Sequence, residues 1–284
     1  MTVLEAIQKS AEFLGKKGVE SPRLQVELLL AHLLKLPRMK LYLNFERVLT
    51  PAETDALREL VKRRGQREPL QHIVGSTSFC DFEIAVNRHA LVPRPETELL
   101  AEAGWDFLAT RHSSLVTALD FGTGTGCIAI ALAAKCPDAK ITAADISPEA
   151  LALAKENAAR NNVAKRIEFL QSDGFAALSK GERFDLIISN PPYIPSAEIA
   201  TLQPEVRDFD PRAALNGGAD GLDFYRKLAA EAKPFLKPDG KIMLEFGDGQ
   251  AEAVKNIFEA QKWIVEAVKE DYSQRARILI AKPN

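Results

Sequence analysis

Leu119-Asp120-Phe121-Gly122-Thr123-Gly124-Thr125-Gly126 is the stretch on which the fold reading turns. An apolar run over 115–121 ends in an acid and three alternating glycines, and a helical pattern over 127–135 follows at once. Glycine after a strand permits positive φ and close approach of a ligand to the backbone. A strand tip facing a helix N-terminus is where open α/β sheets hold nucleotide-like ligands. The spacing excludes a dinucleotide fingerprint, because G-x-G-x-x-G would place its third glycine at Cys127. Downstream, strands are expected at 140–144, 166–171, 184–189, 241–246, 263–268 and 276–281. Helices are expected at 148–161, 223–236 and 250–261. That alternation predicts a mostly parallel sheet covered on both faces. The last two strands have no helix between them, so a hairpin sets one strand antiparallel.

Upstream, the first 65 or so residues read as helices. Leu4, Ile7, Ala11 and Leu14 recur at helical spacing before Gly15 and Gly18. Ser21-Pro22 reads as an N-cap and first helical residue, with an apolar stripe through Leu24, Leu28, Leu29, Leu33 and Leu34. Thr50-Pro51-Ala52-Glu53 is a capping box opening a third helix through Leu57, Leu60 and Val61. The division expected is a helical, substrate-docking domain over 1–68, a β-hairpin connector over 69–90 and an α/β domain over 91–284. Ile73, Val74, Phe79, Phe82, Ile84 and Val86 carry the hairpin reading. Pro93 and Pro95 force an extended stretch, and Pro95 opens the next helix.

Of the 284 residues, 46% are hydrophobic and 27% charged, the balance of a globular chain. The net charge is −2, which disfavours bulk polyanion binding. The first 85 residues carry +2 and the remainder −4. Arg58, Lys62, Arg63, Arg64 and Arg67 form a basic segment that reads as a solvated helix face or as a docking surface for a partner protein. Cys80, Cys127 and Cys136 lie among apolar residues without C-x-x-C spacing, as reduced buried thiols do. His32, His72, His89 and His112 are scattered, so no metal is expected. There is no apolar run of transmembrane length and no leader pattern, so a cytoplasmic protein free of the membrane is expected.

The strand over 140–144 leads into Asp145, about 25 residues after Asp120. A carboxylate at that tip is placed to accept both hydroxyl protons of a ribose, or to cap the helix that starts at Ser147-Pro148. The strand over 184–189 ends in Asn190-Pro191-Pro192-Tyr193. Asn190 offers a side-chain carbonyl oxygen and Pro191 a backbone carbonyl, two acceptors for one planar NH2 group. The prolines hold both acceptors rigid, and Tyr193 supplies a face for stacking on a flat amide or base. Such a clamp aims a poorly nucleophilic nitrogen at an electrophile that a cofactor supplies.

The pattern D-x-G-x-G-x-G over 120–126 resembles the S-adenosylmethionine loop of Rossmann-like methyltransferases. That resemblance implies cofactor binding by Gly122, Thr123, Gly124, Thr125 and Gly126, by Asp145, and by Asn190 close to the transferring methyl. It also implies contact of Asp173 with the adenine amine, Gly174 beside it, although a simple turn at Ser172-Asp173-Gly174-Phe175 is the competing reading. Together with Asn190–Tyr193 and Pro93-Arg94-Pro95-Glu96-Thr97-Glu98, the chain resembles the bacterial release-factor glutamine N5-methyltransferases along essentially its whole length. The stretch Pro211-Arg212-Ala213-Ala214-Leu215-Asn216-Gly217-Gly218 is also similar to that family. Where members can carry an aromatic directly after the acid aligned with Asp173, Gly174 stands here and Phe175 follows.

The resemblance implies a class I methyltransferase sheet with a small N-terminal helical bundle. The cofactor implied is S-adenosyl-L-methionine, and the substrate is the glutamine of the Gly-Gly-Gln motif in peptide chain release factors. No stable nucleic-acid partner and a monomeric state are expected. Asn-Pro-Pro-Tyr is shared with adenine N6 DNA methyltransferases, so a nucleic-acid exocyclic-amine methyltransferase is the alternative. That alternative predicts a target-recognition domain or a strong basic stripe, and neither is visible in the sequence.

Overall fold

The computed structural model describes residues 1–111 and 115–284, and His112 lies outside them. Two compact units emerge, one over 1–76 with 203–209, the other over 77–202 with 210–284. The first unit is helical. Its first helix, Val3–Lys16, opens with a capping box that joins Thr2 and Glu5. The helix Pro51–Gly65 opens with the capping box of Thr50 and Glu53 that its sequence predicts.

The second helix, Pro22–Leu34, departs from expectation in two ways. Ser21 takes a left-handed conformation (φ 46°) and its side chain makes no capping bond. The inward face is Val26, Leu29 and Leu30, while Leu24 is 41% exposed. Glu27 is buried on the same helix, where Arg23, Arg38 and the Tyr42 hydroxyl donate to it at 2.9–3.0 Å. Those three donors let a carboxylate occupy a position that periodicity alone would give to leucine.

Residues 70–74 correct the expected connector. Pro69 precedes a short helix, Leu70–Val74, rather than a strand. Leu70, Ile73 and Val74 are spaced as one helical face and pack on the helical core. The hairpin is shorter than expected, β1 (Ser76–Phe79) and β2 (Phe82–Ala85).

The second unit is built on seven strands: β3 (Val116–Phe121), β4 (Ala139–Asp145), β5 (Ile167–Gln171), β6 (Phe184–Ser189), β7 (Leu236–Glu245), β8 (Trp263–Glu270) and β9 (Ala276–Pro283). Their order is β5-β4-β3-β6-β7-β9-β8. Pairings from β5 to β7 are parallel. β9 is inserted antiparallel between β7 and β8. Alternate residues of each strand feed opposite cores. Ala118, Leu186, Ile188, Met243 and Ile280 face one side, with helices Pro95–Ala109 and Cys127–Lys135. Leu119, Ile187, Ile242, Leu244 and Leu279 face the other, with helices Asp223–Glu231 and Ala251–Ala260. The parallel order reverses direction between β4–β3 and β6, so the loops after those strands diverge and leave a crevice at their C-terminal ends. Among the described residues no helix is long and apolar enough to cross a membrane.

Candidate active site

The glycine loop opens that crevice. Gly122, Gly124 and Gly126 take φ of 74°, 55° and 81°, the left-handed region that side chains disfavour. A Cβ on Gly126 would also lie 3.0 Å from the Ala154 Cβ. The loop is pinned to the neighbouring strand: Gly122 and Thr123 N–H donate to the Ala144 carbonyl at 2.8 and 2.9 Å. Gly124 N–H donates to Asp145 Oδ2 and Ser147 N–H to Asp145 Oδ1, both at 2.9 Å. The helix Pro148–Arg160 is capped by Ser147, whose Oγ accepts from Ala150 N–H. The capping role considered for Asp145 therefore falls to Ser147, and the carboxylate stands at the crevice wall. Behind the loop Asp120 is buried. Thr123 Oγ1 and Ala129 N–H donate to its Oδ2 at 2.6 and 3.1 Å, and burial pushes its carboxyl up to about 7.

The cavity measures about 380 Å3, within the range of small-molecule sites. Gly122–Thr125, Asp145, Asp173, Gly174, Asn190 and Pro192 all border it. Gly126 stands behind this wall, against Ala154. Asp173 is exposed and paired with Lys227 Nζ at 3.1 Å. Phe175 turns away into the core, stacked on Phe235 with centroids 4.9 Å apart and tilted on Phe121 at 5.0 Å. Gly174, at φ 63°, makes the bend that sends it there. Apolar wall area comes instead from Ile146 and Phe224, neither of which the sequence pattern singled out.

Asn190 follows β6, anchored by Ser189 Oγ donating to the Phe121 carbonyl at 2.6 Å. Its Nδ2 donates to Thr97 Oγ1 at 3.1 Å, so the Oδ1 end is left for a ligand. Thr97 comes from the first turn of the helix that Pro95 opens. Pro191 is buried and Pro192 lies on the wall. The Tyr193 ring packs toward the β7 core, off the wall, and burial first, then the Glu245 charge, pushes its hydroxyl up to about 12. Its carbonyl accepts from Gln250 Nε2 at 2.9 Å, and Gln250 Oε1 accepts from Gly247 N–H.

Three further features complete the site. Arg94 borders the cavity and pairs at 3.0 Å with Asp210, which is buried and pushed up to about 6. Asn157 is fully buried. It accepts from Ala85 N–H at 2.7 Å and donates to the Ala85 and Thr125 carbonyls, tying β2 to the glycine loop. Glu245, at the tip of β7, is 3% exposed. Burial pushes its carboxyl up to about 7 against the opposing pull of Thr97. The signal for Glu245 was present: an acid at a strand tip before Gly247 and Gly249, the same pattern that marked Asp145.

Residues 5–75 match the model of the PrmC N-terminal domain, and residues 101–203 match that of the methyltransferase small domain. A release factor glutamine methyltransferase of Geobacter sulfurreducens is 45% identical over 257 residues, covering 90% of this chain and 88% of that protein. One from Chlorobaculum tepidum is 42% identical over 283 residues, covering 97% of this chain and 95% of its own. The solved structure of a methyltransferase from Pyrococcus furiosus superposes with a TM-score of 0.52 at 21% identity, over 78% of this chain and 97% of that one. That last likeness concerns the fold. With identity above 40% across nearly the whole length, the chain belongs to the release factor glutamine methyltransferase family.

Proposed function

We propose that this protein transfers a methyl group from S-adenosyl-L-methionine to the side-chain amide nitrogen, N5, of the glutamine in the Gly-Gly-Gln motif of peptide chain release factors. The observation that carries the reading is Asn190, which borders the cavity of the glycine loop while its Nδ2 is held by Thr97. The cavity fits the cofactor. The glycine-rich loop over Gly122–Thr125 is placed for its amino-acid part, Asp145 for the ribose hydroxyls, and Asp173 with Gly174 for the adenine end. When bound, S-adenosyl-L-methionine supplies an electrophilic methyl on its sulfonium.

The protein's task is then to aim one nitrogen. Asn190 Oδ1 and the Pro191 carbonyl accept the two N–H hydrogens of the substrate amide, which turns its nitrogen toward the cofactor. Pro191 and Pro192 keep that acceptor pair from relaxing. Tyr193 holds the end of the motif through its carbonyl, which accepts from Gln250 Nε2. Arg94, clamped by Asp210, and the chain over 211–215 form the remaining wall.

The helical unit is assigned the docking of the protein substrate. Its basic segment does not form a free cationic face. Arg64 and Arg67 pair with Glu205 at 2.6–2.7 Å, Arg63 with Glu68, and Arg58 with Asp55. That neutralisation argues against a nucleic-acid substrate and favours recognition by shape and apolar contact. A monomer acting in the cytoplasm, where release factors work, completes the proposal. Mass spectrometry of a release factor before and after incubation with enzyme and cofactor tests it. A 14-Da gain on the Gly-Gly-Gln peptide is expected from the mass of one methylene. Modification of DNA or RNA instead of the release factor would overturn it.

A further inference from the structure

Thr97 and Asn190 both lie against the Glu245 carboxyl. Thr97 Oγ1 accepts from Asn190 Nδ2 at 3.1 Å, and these two are the hydrogen-bonding side chains that face that carboxyl. A hydroxyl carries one proton, and accepting from Asn190 leaves that proton to be donated elsewhere. Glu245 is the acceptor beside it. Its Oε2 is buried and has no hydrogen-bond partner among the described residues. A buried carboxyl in that state costs stability, so its retention calls for a role.

We infer that Glu245 is a positioning residue for methyl transfer: by drawing the Thr97 proton it sets the direction of the chain Asn190–Thr97–Glu245 and keeps Asn190 Oδ1, not Nδ2, turned toward the substrate amide. The inference rests on the function proposed above, in which Oδ1 receives a substrate N–H. If Thr97 instead donated to Asn190, the amide would turn over and present its NH2 to the substrate NH2. Two donors would then face each other, and the nitrogen would be pushed from its line of attack.

The direction of the chain depends on charge. An ionised Glu245 accepts from Thr97, whereas a protonated one offers a competing proton. The groups facing Glu245 are Glu96 and Thr97 from the helix Pro95–Ala109, Asn190 and Tyr193 after β6, Tyr225 from the helix Asp223–Glu231, and Arg277 from β9. Burial, the leading influence, and Glu96 push its carboxyl up, and Thr97, Arg277 and Asn190 oppose them, leaving it at about 7. Single-turnover transfer should therefore rise with pH through about 7 as the carboxylate forms.

The experiment measures single-turnover methylation of a release factor across pH 5.5–8.5, beside cofactor affinity by calorimetry. Glu245→Gln should slow transfer on the order of 100-fold, the scale of a misplacement of about 1 Å. It should also flatten the acid limb, while cofactor affinity stays within about threefold. Flattening assigns the limb to Glu245 rather than to Asp120, which also lies at about 7. Thr97→Val should reproduce the loss, and Thr97→Ser, which keeps the hydroxyl, should restore most of the rate. In an Asn190→Ala background, adding Glu245→Gln should cost little more, because both act through one chain. Wild-type pH dependence and rate in Glu245→Gln would overturn the inference while leaving the function standing. A wild-type enzyme that leaves release factor unmethylated would overturn the function and this inference together. Should Glu245→Gln not fold, the Thr97 pair decides: equal rates for Thr97→Val and Thr97→Ser refute the relay.

Discussion

Replacing Asp145 with alanine removes the charge at the tip of β4. Its two oxygens already accept from Gly124 and Ser147 N–H at 2.9 Å each, so the carboxylate is locked in place before any ligand arrives. Each oxygen keeps a lone pair for a ribose hydroxyl. Hydrogen bonds to a charged acceptor contribute about 1.5–3 kcal/mol, and each 1.4 kcal/mol is about tenfold in affinity. The loss expected in cofactor affinity is therefore about 10- to 150-fold. Freeing Gly124 from its anchor adds to the upper end of that range. Asp145→Asn should lose nearly as much, because one of its atoms becomes an NH2 facing a backbone N–H. Titration calorimetry with S-adenosylmethionine reads the change, and a thermal melt confirms folding. A folded Asp145→Ala enzyme with affinity within about twofold of wild type would refute the ribose assignment.

Asn190→Ala should slow single-turnover transfer on the order of 100-fold at saturating cofactor and release factor, with release-factor affinity nearly unchanged. Tyr193→Phe should be milder, since the ring and the backbone bond to Gln250 survive; rapid-quench assays compare the two. Asn157→Leu should destabilise the fold by about 3 kcal/mol or more, read as a lower midpoint in urea, because three buried backbone groups lose their partner. Glu245→Gln should flatten the pH dependence of apoprotein stability. The folded carboxyl lies at about 7 against an ordinary 4.5, so between those values the native state holds the extra proton and stability falls as pH rises, by on the order of 3 kcal/mol. Urea midpoints at pH 5 and 7.5 that differ equally in wild type and variant would contradict that assignment.

The sheet was legible because its strands are short apolar runs at regular intervals, punctuated by Gly122, Gly124, Asp145 and Pro148. Helix Cys127–Lys135 and strand Phe184–Ser189 fall where the pattern puts them. What failed to show was decided by tertiary partners. Leu24 is as apolar as Leu29, and the burial of Glu27 under two arginines and a tyrosine turned the helix face. Ile73 and Val74 favour strand by propensity, yet the helical core claimed them. Whether Phe175 stacks on a ligand was not legible in the sequence, because the bend at Gly174 and the packing of Phe175 on Phe235 decide it. Motif spacing locates groups that touch a ligand. It is silent on Asn157, Gln250 and Asp210, which hold those groups from behind and come from distant parts of the chain.

The distribution of buried acids makes the same point energetically. Asp185 sits among Lys237, Arg111 and Thr117, whose contacts overcome burial and hold its carboxyl below the usual range. It lies at the start of β6, away from the crevice, and works as a fully compensated structural ion pair. Asp120, Asp210 and Glu245 are different. Each is buried, each keeps an oxygen without a hydrogen-bond partner among the described residues, and burial pushes each upward. All three stand directly behind a group on the cavity wall: Thr123, Arg94 and, through Thr97, Asn190. A fold selected for stability alone would replace such groups or pair them. Their gathering behind one wall, while the far end of the sheet carries a satisfied acid, places the cost where orientation of the reacting groups is decided.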